Sequence, residues 1–424
     1  MKQPVALYLL LTTLLISCST PNNQQRPTTT PPPITISATT PPPTQPPATP
    51  TPDDNPPTTT SSLTNTPTPT SSTTPTPTAL PTTPPTIPPA TIEIPGASLP
   101  PGFSLIKFAD IFRPTSLAFD NQGRLYATSF NPDTGDGEIH IFIDSDNDGR
   151  ADTHSRFHRG LTTPLGIEIH PTNGDIYVSS SGRIDILYDL DNDLVADDVE
   201  TFVTDLPFGL HQNNNLKFGP DNQLYIGIGS TCDACFENDL RSATIMRFDP
   251  LTGYGQIIAT GLRNPYDLAF HPQSGHLFAT DNGRDDLGLD APHEELNHIK
   301  KSHDYGWPDC WGDGQGDCAD TTLAITLFTP HSSANSLDFY PNAGPFPNQY
   351  HHNLFVAILG SWLTELPRGI QRVILTPHGD EYTTTHEWFA RWDGRPLGLI
   401  VGPDNALYVG DYQNGGIYRI SYGP

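Results

Sequence analysis

From Leu117 onwards, apolar and polar residues alternate in six short segments of similar pattern. Each has two apolar residues flanking one position, then a turn rich in Pro, Asp, Asn and Gly, then an apolar residue beside Tyr or Phe. Alternation with a period of two on both sides of such turns predicts β-hairpins. The segments are LAFDNQGRLYAT from Leu117, IEIHPTNGDIYVS from Ile167, LKFGPDNQLYIGI from Leu216, LAFHPQSGHLFAT from Leu268, LDFYPNAGPFPNQYHHNLFVAI from Leu337 and LIVGPDNALYVG from Leu399.

The spacing of the hairpins indicates their arrangement. Their first residues are 50, 49, 52, 69 and 62 positions apart, and the 324 residues of 101–424 give 54 residues for each of six repeats. Repeats of this length with four short strands are typical of propellers. We therefore predict an all-β domain, a six-bladed β-propeller, closed by pairing of FSLIKF (103–108) with the last blade. Extra residues after the fourth and fifth hairpins, including DDLGLDAPHEELNHIKKSHDYGWPDCWGDGQGDCAD, are expected to form loops on the binding face.

The first 100 residues have a different composition. Lys2, an apolar run over 5–16 and the sequence LISC ending at Cys18 resemble a bacterial lipoprotein signal with Cys18 as the lipidated residue. The run is too short to span a bilayer, and an ordinary signal peptide with a chance Cys is the alternative. Residues 19–100 are mostly Pro, Thr and Ser, which predicts a disordered tether. We thus predict a signal (1–18), a tether (19–100) and an exported, lipid-anchored propeller (101–424).

Charge and cysteine content narrow the possible partners. Residues 101–424 carry 19 Lys and Arg against 44 Asp and Glu, a net charge of −25. Such a surface repels nucleic acid and anionic membranes and suits cations such as calcium.

An even set of cysteines in an exported protein indicates disulfides, and the simplest pairings are local, Cys232 with Cys235 and Cys310 with Cys318. A zinc site is the alternative, although the usual His spacing is missing.

Two Asp-rich segments are candidate calcium loops. DSDNDGRAD has the alternating carboxylates of an EF-hand-like loop, although its twelfth position is Ser155 rather than Glu. DLDNDLVAD repeats the spacing without the Gly. A structural calcium site and a solvated turn are both compatible with these patterns. The carboxylates are Asp144, Asp146, Asp148 and Asp152 in the first segment and Asp189, Asp191, Asp193 and Asp197 in the second.

Several residues that could bind a ligand or take part in catalysis precede the hairpins. His211 comes before the third, Arg263 and Asn264 before the fourth, and Arg395 before the sixth. Each alone could be an ordinary turn or surface residue. In a propeller, however, residues before the same strand of each blade surround the central channel, so these four are expected to converge. Because Arg recognises carboxylates in a bidentate manner, the arrangement predicts an anion site beside a histidine.

Four segments carry a family resemblance: HQNNNLKFGPDNQLYIGIGS, GLRNPYDLAFHPQSGHLFATDNG, EELNHIKKSHDYGWP and LGLIVGPDNALYVGDYQNGGIYRI. From about Gly102 to the C-terminus the chain resembles the soluble glucose and sorbosone dehydrogenase family of quinoproteins. The series RNP, DNG, EELN, YGWP is the specific part. The resemblance implies pyrroloquinoline quinone (PQQ) bound over the propeller axis, with calcium bridging it to the protein.

The resemblance also implies roles for individual residues. His211 matches the base that removes the hydroxyl proton while hydride passes to the quinone, and a neutral His suits this task near pH 7. A tricarboxylate cofactor needs Arg partners and a hard cation with oxygen ligands. The matching calcium positions are the carbonyls of Gly283 and Arg284, together with Glu294. The matching cofactor contacts are Arg263, Asn264, Asn282, Tyr305, Trp307, Arg368, Arg395 and Asp411.

This sequence departs from the family pattern at three positions. Sugar-oxidising members have a carboxylate at the position of Ser230, a Lys near that of Pro367, and a second Arg at that of Leu397. Fewer charges therefore remain for the cofactor. The CDAC motif and the Asp-rich segments favour the sorbosone-type branch.

The leading hypothesis is a dehydrogenase that oxidises a sugar or a related alcohol or aldehyde. No Cys-x-x-Cys-His haem motif occurs, so the electron acceptor must be a separate molecule. A non-catalytic cell-surface propeller that binds glycan or protein is the main alternative. A calcium-dependent lactonase is the third, although it would not require Arg263 and Arg395 beside the axis.

Overall fold

The computed structural model describes residues 91–423. The predicted signal with Cys18, and the predicted tether as far as residue 90, lie outside the described residues. Among the residues described, no helix is long and apolar enough to cross a membrane.

The described chain forms short, mainly antiparallel strands in six sheets, with one further two-stranded hairpin. A first strand, β1 (Phe103–Ala109), precedes the first complete blade. Blade 1 consists of β2 (Pro114–Phe119), β3 (Leu125–Phe130), β4 (Asp136–Ile143) and β5 (Thr153–Thr162). Blade 2 consists of β6 (Gly166–Ile169), β7 (Ile176–Ser180), β8 (Arg183–Tyr188) and β9 (Asp198–Val203). Blade 3 consists of β10 (Asn213–Phe218), β11 (Leu224–Ile228), β12 (Thr244–Phe248) and β13 (Gly255–Thr260).

Blade 4 contains the long insertion that the spacing of the hairpins predicts. Its strands are β14 (Pro265–Phe270), β15 (Leu277–Asp281), β16 (Glu295–Ile299) and, after the insertion, β20 (Thr326–Leu327). Within the insertion, β17 (His303–Asp304) pairs with β13, while β18 (Cys310–Trp311) and β19 (Gln315–Gly316) pair with each other. Blade 5 consists of β21 (Ala334–Phe339), β22 (Leu354–Ile358), β23 (Gly369–His378) and β24 (Glu381–Arg391), with a 3₁₀ turn at Asn348–Tyr350. Blade 6 contains β25 (Pro396–Val401), β26 (Leu407–Asp411) and β27 (Ile417–Tyr422).

All six predicted hairpins are confirmed as the two inner strands of the six blades. Five of their tight turns contain a residue with positive φ, where Gly or Asn is favoured. This requirement explains the recurring turn composition in the sequence. The residues are Gly123, Gly174, Asn222, Gly275 and Asn405.

The predicted closure of the ring is also confirmed. Strand β1 pairs with β27 and supplies the fourth strand of blade 6, whose order is β1-β27-β26-β25. Phe103 of this strand makes edge-to-face contacts with Phe346 and Phe389. Ordered contacts begin before the predicted domain boundary at residue 101, because Ile92 bridges Leu105 and Ser98 bridges Arg391.

The core consists of apolar clusters between neighbouring blades. Each of the six interfaces encloses one cluster, including the interface between blades 6 and 1. A seventh cluster lies at the centre and contains Tyr266, Leu359 and Leu397. Leu397 is thus a packing residue at the position where the family resemblance implies a second Arg. Since no blade buries its faces alone, the ring stabilises itself through these interfaces.

Candidate active site

The residues predicted to converge lie at one face of the propeller. His211, Asn264 and Arg395 come immediately before or close to the innermost strands β10, β14 and β25. In up-and-down blades these segments share a face with the loops between second and third strands. The innermost strand begins with a register shift in every blade except blade 2. Such bulges redirect side chains and are frequent beside active sites.

The hydrogen bonds of His211 define its tautomer. Its Nδ1 lies 2.8 Å from Ser230 Oγ, and that hydroxyl donates to the carbonyl oxygen of Cys232 at 2.7 Å. A hydroxyl has one proton, so Ser230 must accept from His211 Nδ1–H. The lone pair is therefore on Nε2, which has no hydrogen-bond partner among the residues described.

The surroundings of His211 keep it neutral. Burial, and secondarily the charge of Arg263, lowers the pKa of His211 to about 3. Gly229 allows the ring to sit here, because a Cβ at that position would lie 2.4 Å from His211 Cβ. The residue predicted as the base is thus an unprotonated imidazole with one free nitrogen.

The buried Arg263 side chain is held by two carboxylates. Its Nη2 contacts Asp233 Oδ1 at 2.6 Å and Asp285 Oδ2 at 3.0 Å. Its Nε donates to the carbonyl oxygen of Asp233 at 3.0 Å, and its Nη1 to that of Asn282 at 3.1 Å. Asp285 also lies 3.3 Å from Nδ1 of the buried His331. Arg263 therefore organises the loops around the site and has little hydrogen-bonding capacity left for a ligand.

Asn264 and Asn282 connect the Arg263 segment to the inner strands. Asn264 Oδ1 accepts from Asn214 Nδ2 at 2.9 Å, and its carbonyl oxygen accepts from the Asn282 N–H at 3.2 Å. Asn282 Nδ2 in turn donates to Asn335 Oδ1 at 3.1 Å. These contacts join blades 3, 4 and 5 in one polar network.

Several buried polar atoms in or beside this network have no protein partner among the described residues. Buried groups of this kind mark positions where water or a ligand completes the hydrogen bonding. They belong to the inner parts of blades 3 to 5. The atoms are Asn214 Oδ1, the Tyr266 hydroxyl, Asn282 Oδ1 and the hydroxyls of Ser332 and Ser336.

Two buried aspartates hold equivalent backbone segments. Asp281 accepts the backbone N–H groups of Arg263 at 3.0 Å and Asn264 at 2.6 Å. Asp411, in the same register of blade 6, accepts the N–H of Arg395 at 3.0 Å. Both Asp411 oxygens have further protein donors, Trp392 among them. Asp411 thus orients the Arg395 segment, and its carboxylate is fully used within the protein.

Arg395 is a buried cation without an acidic partner among the described residues. Its Nη1 and Nη2 donate to the carbonyl oxygens of Leu359, Gly360 and Ser361 at 2.9–3.2 Å. The Trp362 ring covers the guanidinium at 3.7 Å. Burial lowers the pKa of Arg395. A buried cation whose hydrogen bonds go only to neutral groups favours an anion nearby.

Arg368 lies beside Arg395 but is partly neutralised. It pairs with Glu365 at 2.9 Å, and its Nη1 donates to the carbonyl oxygen of Asp393 at 3.1 Å. The side chain of Gln413 contacts both arginines. No direct contact joins this blade 5–6 group to His211 among the described residues.

The predicted calcium positions lie in the loop between β15 and β16. Glu294 is buried and accepts the N–H groups of Gly283 at 2.7 Å and Ser333 at 3.1 Å. Burial raises the pKa of Glu294 to about 7. The Arg284 side chain forms an ion pair with Asp286 at 2.6 Å, so the group that Arg284 can offer to calcium is its backbone carbonyl oxygen. The segment contains carbonyl and carboxylate oxygens, the ligand type that calcium prefers.

Tyr305 and Trp307 occupy different environments. The Tyr305 ring packs in the core between blades 3 and 4, and its hydroxyl donates to the carbonyl oxygen of His298 at 2.5 Å. The structure does not bring it into the site network. Trp307 Nε1 donates to the carbonyl oxygen of Asp233 at 3.2 Å and so lies next to Arg263.

Both predicted disulfides are confirmed, Cys232–Cys235 and Cys310–Cys318. These four cysteines therefore do not form a zinc site.

The two Asp-rich segments connect third and fourth strands and lie on the face opposite His211. Ligand oxygens of Asp144, Asp146 and Asp152 lie within 4.8 Å of one another, as do those of Asp189, Asp191 and Asp197. Asp148 instead accepts the Arg150 N–H at 2.8 Å. Structural calcium binding here stays a prediction, separate from the candidate active site.

Three residues that hold Arg263 were not predicted from the sequence. Asp233 and Asp285 bind its side chain, and the Asp281 carboxylate accepts its backbone N–H. Asp281 carried a detectable signal, because DNG after LFAT and DYQ after LYVG place an Asp at the same point of two repeats. Asp233 and Asp285 carried none, since they lie 30 and 22 residues from Arg263 in irregular loops.

The fold and the site define a six-bladed β-propeller with a neutral histidine and a polar network at one end of its axis. Residues 96–419 match the family described as "Domain of unknown function (DUF7133)". The chain belongs to this family.

Two curated relatives match parts of the chain. An uncharacterized protein of Borreliella burgdorferi is 30% identical over 234 residues, which cover 50% of this chain and 61% of that protein. The aldose sugar dehydrogenase YliI of Escherichia coli is 25% identical over 178 residues, which cover 39% of this chain and 44% of that protein. The matches thus span less than two thirds of either relative.

Solved structures share the fold. The holo form of the pyranose dehydrogenase PQQ domain from Coprinopsis cinerea has a TM-score of 0.65 at 18% identity, over 78% of this chain and 100% of that one. The calcium structure of the Trichoderma reesei carbohydrate-active enzyme of family AA12 has a TM-score of 0.65 at 20% identity, over 78% and 98%. The PQQ-bound aldose sugar dehydrogenase of Streptomyces coelicolor has a TM-score of 0.58 at 19% identity, over 76% and 99%.

Proposed function

We propose that this propeller is a PQQ- and calcium-dependent dehydrogenase that oxidises a sugar or a related alcohol or aldehyde. The observation that carries the proposal is His211, a neutral imidazole whose Nδ1–H is fixed by Ser230 and whose Nε2 is free. The named structural neighbours support the proposal, because they include PQQ-bound and calcium-bound propellers.

The residues present fit an acidic quinone cofactor. Arg395 is buried without a carboxylate partner among the residues described, so it favours a carboxylate group of the ligand. The partnerless oxygens of Asn282, Ser332 and Tyr266 offer further polar contacts. The oxygens of Gly283, Arg284 and Glu294 would hold calcium, and PQQ when bound would accept the hydride.

The protein groups then act on the substrate in defined ways. His211 Nε2 takes the proton of the substrate hydroxyl, while Ser230 and the Cys232 carbonyl keep the other nitrogen protonated. The lowered pKa of His211 makes the base form available at all pH values well above 3. Arg263 adds positive charge beside the developing imidazolium, and Asp233 and Asp285 largely neutralise it.

Electrons would leave through a separate acceptor. We extend the proposal to an exported enzyme that is held at the bacterial membrane through Cys18, with the propeller outside the cytoplasm. The sorbosone-type branch remains the proposed relationship within the dehydrogenases.

The test is a titration of the full chain with PQQ and calcium, followed by absorbance and by dye reduction with a panel of aldoses. We expect calcium-dependent binding in the wild type and in His211→Ala, with dye reduction lost only in the variant. His378→Ala, an exposed residue of a distant hairpin, is the matched control and retains both. Absence of binding at micromolar PQQ would contradict the proposal and favour a non-catalytic surface module.

A further inference from the structure

The loop Cys232–Cys235, between β11 and β12, contacts the candidate active site through the Cys232 carbonyl and through the carbonyl and carboxylate of Asp233. Asp233 Oδ1 accepts from Arg263 Nη2 at 2.6 Å and from the Asp285 N–H at 2.8 Å. The Asp233 carbonyl oxygen accepts from Arg263 Nε at 3.0 Å and from Trp307 Nε1 at 3.2 Å. Asp233 thus binds the Nε–Nη2 edge of the Arg263 guanidinium through two acceptors and also fixes the neighbouring loop.

The same loop reaches His211. The Cys232 carbonyl oxygen accepts the hydroxyl proton of Ser230 at 2.7 Å, and this bond forces Ser230 to accept from His211 Nδ1. Next to Ser230, the Thr231 N–H and hydroxyl both donate to Glu237 at 2.6 Å. Glu237 therefore holds the other side of the loop.

We propose that Asp233 is a positioning residue for Arg263, and that the Cys232–Cys235 disulfide holds Asp233 in place. An ion pair formed by a freely moving, partly exposed Asp contributes little, because ordering the side chain and backbone costs entropy. The Asp233 side chain is 31% exposed, whereas that of Arg263 is 4% exposed. Closing four residues with a disulfide removes much of that freedom before the ion pair forms.

The position of the Cys232–Cys235 disulfide indicates that it supports the site and not the strand pairing of the blade. Both cysteines lie outside the strands and are only partly buried, and neither belongs to an interblade cluster. The strand pairings of blade 3 do not involve residues 232–235. Opening this disulfide should therefore disturb Arg263 and His211 while the blades remain paired.

The first experiment compares Asp233→Ala, Asp233→Asn and the control Asp239→Asn in the full chain. Asp239 lies in the same connection between β11 and β12, outside the Cys232–Cys235 loop. It pairs with Arg241 and its side chain is 39% exposed, so it matches Asp233 in chemistry. The readout is the NMR signal of the Trp307 indole N–H, one of five tryptophans, assigned with Trp307→Phe. We expect Asp233→Ala to shift this signal, Asp233→Asn to restore it in part, and Asp239→Asn to leave it unchanged.

The second readout rests on the proposed function and measures the Kd for PQQ in the presence of calcium. We expect Asp233→Ala to raise this Kd at least roughly tenfold, because a charged hydrogen-bond pair to Arg263 is lost. Cys232→Ser with Cys235→Ser should reproduce both effects. Equal midpoints of thermal unfolding for Asp233→Ala and Asp239→Asn would show that the effects are local.

The two proposals can fail separately. If the wild type binds no PQQ but the indole signal behaves as expected, Asp233 positions Arg263 and the proposed function is wrong. If PQQ binds while the indole signal and the Kd are unchanged in Asp233→Ala, the positioning role is overturned.

Discussion

Replacing Ser230 by Ala tests the origin of the free Nε2 of His211. Ser230 is fully buried, and its hydroxyl is the one partner of His211 Nδ1 among the described residues. In Ser230→Ala the Nδ1–H would be left unpaired, which costs about 1–3 kcal/mol. The imidazole can avoid this cost by moving its proton to Nε2. Since 1.4 kcal/mol is a factor of ten, the tautomer ratio should shift roughly 5- to 150-fold toward Nε2–H.

Long-range proton–nitrogen NMR on the full chain distinguishes the two tautomers. The signal of His211, one of 15 histidines, is identified by its loss in His211→Ala. Dye reduction under saturating PQQ and calcium should fall in parallel with the Nδ1–H population. Ser230→Thr retains a hydroxyl and serves as the control. A proton that stays on Nδ1 in Ser230→Ala, with an unchanged rate, would refute the argument that Ser230 sets the base.

Four further outcomes are expected. In Gly229→Ala the new Cβ lies 2.4 Å from His211 Cβ, so the rate of dye reduction should fall at least roughly tenfold; an unchanged rate would contradict the close approach. The folded pKa of His211 lies below the unfolded value of 6.5, so its contribution to stability is lost as pH falls from 6.5 toward 3. His211→Gln should accordingly flatten the dependence of the free energy of unfolding on pH, measured by urea denaturation, and a parallel curve would argue against a neutral His211. Deleting β1 with the residues before it should abolish cooperative unfolding in near-UV circular dichroism, whereas deleting only the predicted tether as far as residue 90 should not. Asp146→Asn should reduce the rise in melting temperature that calcium produces without changing dye reduction, and an unaltered calcium response would count against that loop as a calcium site.

The propeller could be predicted from the sequence because its determinants repeat. Leu117, Ile167 and their four counterparts recur every 49 to 69 residues, and every one is buried in an interblade interface or beside it. The closing strand was also predictable, since FSLIKF is an apolar segment left over before the first complete blade. The short strands of the insertion carry no such signal, because each pairs through two residues only.

The candidate site was partly predictable for the same reason. His211, Arg263 and Arg395 stand at equivalent points of the repeats, so symmetry brings them to one face. Their actual partners depend on irregular loops that no repeat constrains. The sequence therefore suggested a free Arg263, whereas Asp233 and Asp285 neutralise it; Arg395 is the cation that stays without an acid among the described residues.

Blade 6 combines strands from both ends of the propeller domain, so it is completed last when the protein is synthesised. Strand β1 emerges early in synthesis, but its partner β27 ends at Tyr422. Blades 1 to 5 can form local hairpins as they appear, because their strands are close in sequence. The ring itself cannot close until about the last ten residues have left the ribosome, so the apolar edges of blade 6 stay open until then. A chain that stops short of β27 would expose Phe103 and its aromatic neighbours, and proteases and chaperones could distinguish it from a finished one.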